Sequence, residues 1–318
     1  MTPPTTGHAV AVRLSRQTAK LWAPPPRLTV SEWADTRRML SREGSAEPGR
    51  WRTDRAPFQR GMMDAVHEPG VNTVVWMTSA QAGKTEGLLN VIGFHMDQDP
   101  TSMLVVEPTL QMGEALSKDR LAPMIRDTPV LTGLVREPRS RNSNNTLLHK
   151  SYPGGQITIC GANSAASLAM RPVRGALFDE VDRFPVSAGT EGDPVKLGQK
   201  RTSNFHNRFT VLASTPTTKG ASRIEDAFEM SDKRRYYVPC PHCGGLQLLE
   251  WAQMRWGKNE DGHGWDGSDP VYVCAECDKT ISERDKPKML RGGRWIAEGV
   301  SNGIAGFHIS ALYSPWVK

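Results

Sequence analysis

The stretch Val71-Asn72-Thr73-Val74-Val75-Trp76-Met77, Thr78-Ser79-Ala80-Gln81-Ala82-Gly83, Lys84-Thr85-Glu86-Gly87-Leu88-Leu89-Asn90-Val91-Ile92-Gly93-Phe94-His95 decides the fold. Its first seven residues are an apolar, β-branched run, the next six are small and polar, and Leu88, Leu89 and Ile92 then recur at helical spacing. These residues spell strand, loop, helix. Small residues leading into a helix N-terminus suit an anion: backbone N–H groups around Gly83 can wrap phosphates, Lys84 can reach the β and γ oxygens, and Thr85 can ligate Mg²⁺. Ser79, Ala80, Gln81 and Ala82 complete that cradle. The pattern is the second half of a Walker A loop, with Thr78 where the first glycine usually stands.

On either side, Ser102 to Val106, Gln156 to Cys160, Ala176 to Phe178 and Phe209 to Ala213 read as apolar strands, with a helical stretch at Gln111 to Met124. Buried strands alternating with helices predict an α/β fold, a mostly parallel sheet with helices on both faces. Ala176-Leu177-Phe178-Asp179-Glu180 is a strand ending in paired carboxylates, as in Walker B. There Asp179 holds Mg²⁺ through its water shell and Glu180 orients or deprotonates a water. Ser214-Thr215-Pro216 ends a later strand, where motor ATPases sense the γ-phosphate. The motifs together predict ATP hydrolysis.

Residues 1–27 are rich in Pro and Thr and predict an arm without a fold of its own. Thr29 to Ser41 reads as a helix capped at Thr29 or Ser31, with Trp33 and Met39 inward, and Gly61 to His67 as a second. Four of the five cysteines fall into Cys240-Pro241-His242-Cys243 and Cys274-Ala275-Glu276-Cys277, which predict a closed four-thiolate Zn²⁺ site of the zinc-ribbon kind. Such a ribbon can hold DNA, a neighbouring subunit or only its own fold. The remaining Cys160 reads as a small core residue. No apolar run reaches the roughly 20 residues that cross a bilayer, and the N-terminus has no signal-peptide core, so membrane and secreted classes are excluded and a soluble intracellular protein is expected. With 40 Lys+Arg against 34 Asp+Glu, the net charge of +6 permits a polyanionic partner without requiring one.

From Thr29 to the C-terminus the chain resembles the lambda-like GpA family of large terminase subunits of tailed bacteriophages. The resemblance rests on Thr29 to Trp33, Gly49-Arg50-Trp51-Arg52-Thr53, the Gln81 to Glu86 loop, Asp179-Glu180-Val181-Asp182, Ser214-Thr215-Pro216 and the CxxC pairs, in that order. It implies a P-loop core of the additional-strand type and an ATP-driven motor that threads double-stranded DNA into a procapsid. The implied partners are a portal, a small terminase subunit and further copies in a ring. The implied place is the host bacterial cytoplasm, docked transiently at the procapsid portal and absent from the mature virion. Pro57-Phe58-Gln59 looks like the family's adenine-recognition segment, with Gln59 on the base edge. Many members carry an arginine one residue after the position of Ser79. Here that residue is Ala80, so the charge is expected from Arg171 or Arg174, with Arg171 preferred as a finger acting in trans.

The expected division is an N-terminal arm and short helices (1–55), a P-loop ATPase domain (56–235), a zinc ribbon (236–282) and a C-terminal segment (283–318). The resemblance implies that this segment leads to an RNase H-like nuclease, for which no acidic cluster is read before Lys318, so the chain is expected to be the motor half. Lys200, Arg201, Arg208 and Lys233 to Arg235 are candidate phosphate contacts on DNA. Two other readings stay open: a helicase-like translocase on the same core, and a zinc-ribbon DNA-binding or assembly protein with an inactive P-loop.

Overall fold

The structure is a computed structural model that describes residues 28–135, 145–257, 259 and 270–316. The expected N-terminal arm at 1–27 lies outside the described residues. The main sheet has ten strands among them: β1 (Thr73–Thr78), β2 (Ser102–Glu107), β3 (His149–Tyr152), β4 (Gly155–Gly161), β5 (Gly175–Asp179), β6 (Phe209–Ser214), β7 (Arg234–Pro239), β8 (Leu246–Gln247), β9 (Arg294–Ala297) and β10 (Ile304–Ile309). Their order is β8-β7-β10-β1-β6-β5-β2-β4-β3, with β9 also on β7. From β7 to β4 every neighbouring pair is parallel, and only β3, β8 and β9 run antiparallel.

Both faces of this sheet are covered, which explains why its strands are apolar runs without alternation. Along β1, Val74 and Trp76 face one core and Val75 and Met77 the other. The first core takes Trp33 of helix α1 (Val30–Arg37), Met62 and Met63 of α2 (Gln59–Asp64), and Leu88, Leu89 and Ile92 of α3 (Lys84–Asp97). On the opposite face lie Leu168, Val195, Ile224 and Phe228 from the helices Ala165–Ala169, Pro194–Gln199 and Arg223–Glu229. Thr29 caps α1 in a reciprocal box with Glu32, and Trp33, fully buried, donates its Nε1–H to Asp97 at 2.9 Å. The predicted helix nevertheless stops at Arg37, and Met39 sits in a two-residue strand, Met39–Leu40, paired with Gly49–Arg50. Cys160 is buried in the core, and burial pushes its thiol up to about 12. No helix among the described residues is long and apolar enough to cross a membrane.

The largest departure from expectation concerns the chain after Tyr236. The expected boundaries at 235 and 282 do not coincide with breaks in the sheet, because β7 straddles the first and β9 and β10 follow the second. The C-terminal segment inserts β10 between β7 and β1, in register from Ile304 opposite Thr73 to Ile309 opposite Thr78. Its Ala305, Phe307 and Ile309 are fully buried. Only the small three-stranded sheet of Met254–Arg255, Val271–Val273 and Thr280–Ile281 stands apart, beside the cysteine pairs.

Candidate active site at the carboxyl edge of the sheet

In a parallel sheet the loops after the strands gather along one edge, where open α/β folds bind their ligands. The loop after β1 reaches α3 through Gly83, at φ +79. That positive φ favours glycine, and a Cβ there would stand 2.4 Å from Gln59 Nε2, which would have to move aside. Gln59 is buried, and its Nε2 donates to the carbonyls of Ala82 at 3.0 Å and Gly83 at 3.3 Å. Its amide nitrogen thus braces the loop it was expected to serve as a base reader. Ser79 N–H donates to the Ile309 carbonyl at 2.9 Å, and Ser314 Oγ donates to the Gln81 carbonyl at 3.0 Å, so β10 and the turn after it hold the loop from the other side.

Lys84, in the first turn of α3, places Nζ 2.9 Å from Glu180 Oε1 and 3.2 Å from Thr215 Oγ1. Thr85 Oγ1 donates to Asp179 Oδ2 at 2.8 Å. The structure therefore brings together Lys84, Thr85, Asp179, Glu180 and Thr215 from three neighbouring parallel strands and the helix after the first. Glu180 sits at φ +55, a left-handed conformation that costs a side-chain-bearing residue about 1 kcal/mol or more. Asp179 is buried, and that burial pushes its carboxyl up to about 6 despite the Thr85 hydrogen bond and the Lys84 charge.

Sequence reasoning passed over Glu107, which ends β2 beside β5 and is 4% exposed. Burial first, then the negative charges of Asp179 and Glu180, push its carboxyl up to about 9, so it is neutral at pH 7. Its signal was an acidic residue closing a wholly apolar strand. Asp182, named above only as part of the Asp179 to Asp182 segment, had no role read for it. It accepts from Thr217 N at 2.9 Å, Thr217 Oγ1 at 3.0 Å and Ile224 N at 2.8 Å. With Asp182 N donating to Ser214 Oγ at 3.2 Å, it ties the Ser214-Thr215-Pro216 turn to the carboxylate strand and to the helix that begins at Arg223.

Arg171 and Arg174 are not brought to this edge. They precede β5, a strand length from Asp179, about 15 Å at roughly 3.3 Å per residue. Arg174 grips both oxygens of Asp99, Nη1 to Oδ1 at 3.0 Å. Arg171 is exposed and reaches only Gln156 Oε1, at 3.4 Å. Beside Asp99, His67 Nε2 and His95 Nε2 are 3.2 Å apart, and His95 Nδ1 is 2.9 Å from the Val91 carbonyl. Burial holds His95 down to about 3 and lowers His67, so both rings are neutral.

Of the basic candidates, Lys233 pairs with Glu229, Arg234 with Glu68 and Asp232, and Arg235 with Glu298. Those three charges are already answered, whereas Lys200 and Arg208 are exposed. The four cysteines of the two CxxC pairs converge, with Cys240 Sγ 3.9 Å from Cys277 Sγ and Cys243 Sγ 3.9 Å from Cys274 Sγ. A sulfur tetrahedron around zinc at about 2.3 Å has edges of about 3.8 Å, so the donor set fits that ion.

Comparison with known proteins agrees with this geometry. Residues 45–295 match the model of the phage terminase large subunit gpA, ATPase domain. The chain is 32% identical to the terminase large subunit of Enterobacteria phage P21, covering 92% of this chain and 49% of that protein. It is 30% identical to the terminase large subunit of Escherichia phage lambda, covering 94% and 50%. The chain thus spans about half the length of the curated relatives it matches. Among solved structures it is similar to the HK97 bacteriophage large terminase (TM-score 0.49, 15% identity, 63% of this chain and 39% of that one). It is also similar to the Thermus phage P74-26 large terminase ATPase domain (TM-score 0.45, 15% identity, 80% and 82%). The chain belongs to the gpA family of phage terminase large subunits, within their ATPase domain.

Proposed function

We propose that this chain is the ATP-hydrolysing part of a motor that moves double-stranded DNA into a phage procapsid. The observation that carries the proposal is the convergence of Lys84, Thr85, Asp179, Glu180 and Thr215 at one sheet edge in a gpA-family chain. The position of β6 between β1 and β5 supports a P-loop core of the additional-strand type.

Backbone N–H groups from Ala80 to Gly83 hold the polyphosphate at the start of α3, while that of Ser79 stays on the Ile309 carbonyl. Thr85 and buried Asp179 are hard oxygen donors that suit Mg²⁺, which when bound offsets phosphate charge. The Lys84 ammonium is shared by Glu180 and Thr215. A γ-phosphate competes for it and frees Glu180, which orients a water and takes its proton. The water oxygen attacks phosphorus as the bond to the ADP oxygen breaks. Neutral Glu107 adds no further negative charge beside the phosphates. Thr215 reads the γ-phosphate, and Asp182 passes its displacement to the Arg223–Glu229 helix. Arg171, exposed and distant from its own loop, serves a neighbouring subunit of a ring. The cysteine cluster holds Zn²⁺ as a closed structural site. The small terminase subunit and the portal are the expected protein partners.

The test is phosphate release from Mg²⁺-ATP with and without linear double-stranded DNA. Lys84→Ala and Glu180→Gln are expected to lose hydrolysis, and equal rates in all three proteins would sink the proposal. Unwinding of a forked substrate would favour a helicase-like translocase. Metal analysis is expected to find zinc on the chain, lost in Cys240→Ser with hydrolysis retained.

A further inference from the structure

The Gly49-Arg50-Trp51-Arg52-Thr53 segment has no role in the chemistry above, yet it forms one wall of a cleft of about 730 Å³ whose floor is Gly83, Lys84 and Thr85. Four guanidinium groups line that cleft, and three of them are committed. Arg50 donates to the carbonyls of Asp35 and Thr36 at 3.0 Å each, Arg55 pairs with Glu47 at 2.7 Å, and Arg120 contacts Glu86 and the Gly44 carbonyl. Arg52 is exposed, its carbonyl accepts from Arg55 N at 3.0 Å, and its guanidinium has no hydrogen-bond or ion-pair partner among the described residues. Its backbone is nevertheless fixed, because Trp51 is buried with Nε1–H on Thr53 Oγ1 at 3.0 Å and Thr53 N donates to Asp35 Oδ1 at 2.6 Å.

On the side of the loop, Trp316 also lines the cleft, 40% exposed. Ser314 Oγ positions it by donating to the Gln81 carbonyl at 3.0 Å and accepting from Trp316 N at 3.3 Å. The ring lies close over Gly83, 3.5 Å from where a Cβ would stand. The cleft beyond the phosphate loop therefore offers two planar groups with open faces, an indole and a guanidinium. Gln59, the expected reader of the base edge, has its amide nitrogen on the carbonyls of Ala82 and Gly83.

We propose that Trp316 and Arg52 stack on the nucleobase of the bound triphosphate, so that affinity for the base comes from its faces and the site takes purine nucleotides with little selection between them. The inference rests on the nucleotide reading of the phosphate loop. Stacking suits any base because every base presents a π face, and a guanidinium adds a cation–π contact.

The experiment measures binding of ATP, GTP and inorganic tripolyphosphate, each with Mg²⁺, to the full chain by isothermal titration calorimetry. Trp316→Ala and Arg52→Ala are each expected to weaken ATP about 10-fold and to leave tripolyphosphate within about twofold, with Trp316→Phe restoring most of the ATP affinity. ATP and GTP are expected to bind within about fivefold of each other. Wild-type chain that binds neither ATP nor tripolyphosphate would overturn the nucleotide reading itself. Wild-type binding with both variants unaffected, or with tripolyphosphate weakened as much as ATP, would overturn this inference alone. A preference above about 30-fold for one purine would do the same, because stacking does not supply it. Both substitutions are at exposed side chains, and circular dichroism of each variant separates lost binding from lost fold.

Discussion

The two edges of one parallel sheet carry polar clusters of opposite character. At the carboxyl edge, Glu107, Asp179 and Glu180 crowd around a single ammonium, that of Lys84, with two carboxyls pushed up by burial and one residue at a left-handed φ. At the amino edge, Arg174 occupies both oxygens of Asp99, and the two histidines are neutral and hydrogen-bonded to each other and to a backbone carbonyl. In the first cluster Lys84 is shared between Glu180 and Thr215, and Arg183 stands 3.7 Å from Glu180. In the second the contacts run among its own members, with Arg174 Nε left buried and without a partner among the described residues. The comparison separates two kinds of buried polarity: raised carboxyls beside a strained residue, of the kind that gathers at functional sites, and a paired group that fastens the end of α3 to the start of β5.

Four measurements bear on that contrast. The largest effect is expected for Glu180→Gln, which should lower ATP turnover by about 10² to 10⁴-fold while the thermal midpoint stays nearly constant. A collapse of stability instead would make Glu180 a structural residue. Next, Arg174→Ala leaves Asp99 without its partner and should cost about 2 kcal/mol in urea unfolding, less than a fully buried pair because Asp99 is 40% exposed. Its nucleotide affinity should not change, and a strong loss there would erase the difference between the edges.

The third concerns the sign of a pH slope. Glu107 holds its proton up to about 9 when folded and releases it in the ordinary carboxylate range when unfolded. Stability of the metal-free chain should therefore fall as pH rises from about 5 towards 9, and Glu107→Gln should flatten that fall and add on the order of 2 kcal/mol at pH 8. The fourth and smallest runs the other way. His95, held at about 3, stays neutral in the fold while the unfolded chain takes up a proton. Between pH 6.5 and 5 the His95 contribution to stability should fall by about 1 kcal/mol, against the rise that Glu107 gives over the same interval, and it is read as the difference between the wild-type chain and His95→Gln. Differences between wild type and Glu107→Gln and between wild type and His95→Gln that slope in the same direction with pH would break the distinction.

Local pattern carried the strands and the loop because each depends on neighbours in the chain. A β-branched run, a glycine before a lysine and an acidic pair after an apolar strand are all readable within a few residues, and β1, β2, β4, β5 and β6 lie within two residues of the stretches predicted for them. Local pattern is silent where a residue's contacts are distant. Gln59 reaches the carbonyls of Ala82 and Gly83, and Arg174 is paired with Asp99, and no window around either residue shows these partners. The strand Ile304–Ile309 follows a polar turn, and its apolar alternation gives no sign of which strand it will join.

By itself, then, the sequence determined a small-residue loop closing on Gly83, Lys84 and Thr85 in a parallel α/β sheet, a strand ending in Asp179 and Glu180, and four cysteines at metal spacing, since each follows from short-range stereochemistry and ligand type. The tertiary structure alone decided that Ile304–Ile309 lies beside the phosphate-loop strand, that Glu107 joins the carboxylates, and that Arg52 and Trp316 share one cleft. Strand order and burial are set by packing the two cores on either face of the sheet, a long-range balance that no window of neighbouring residues contains.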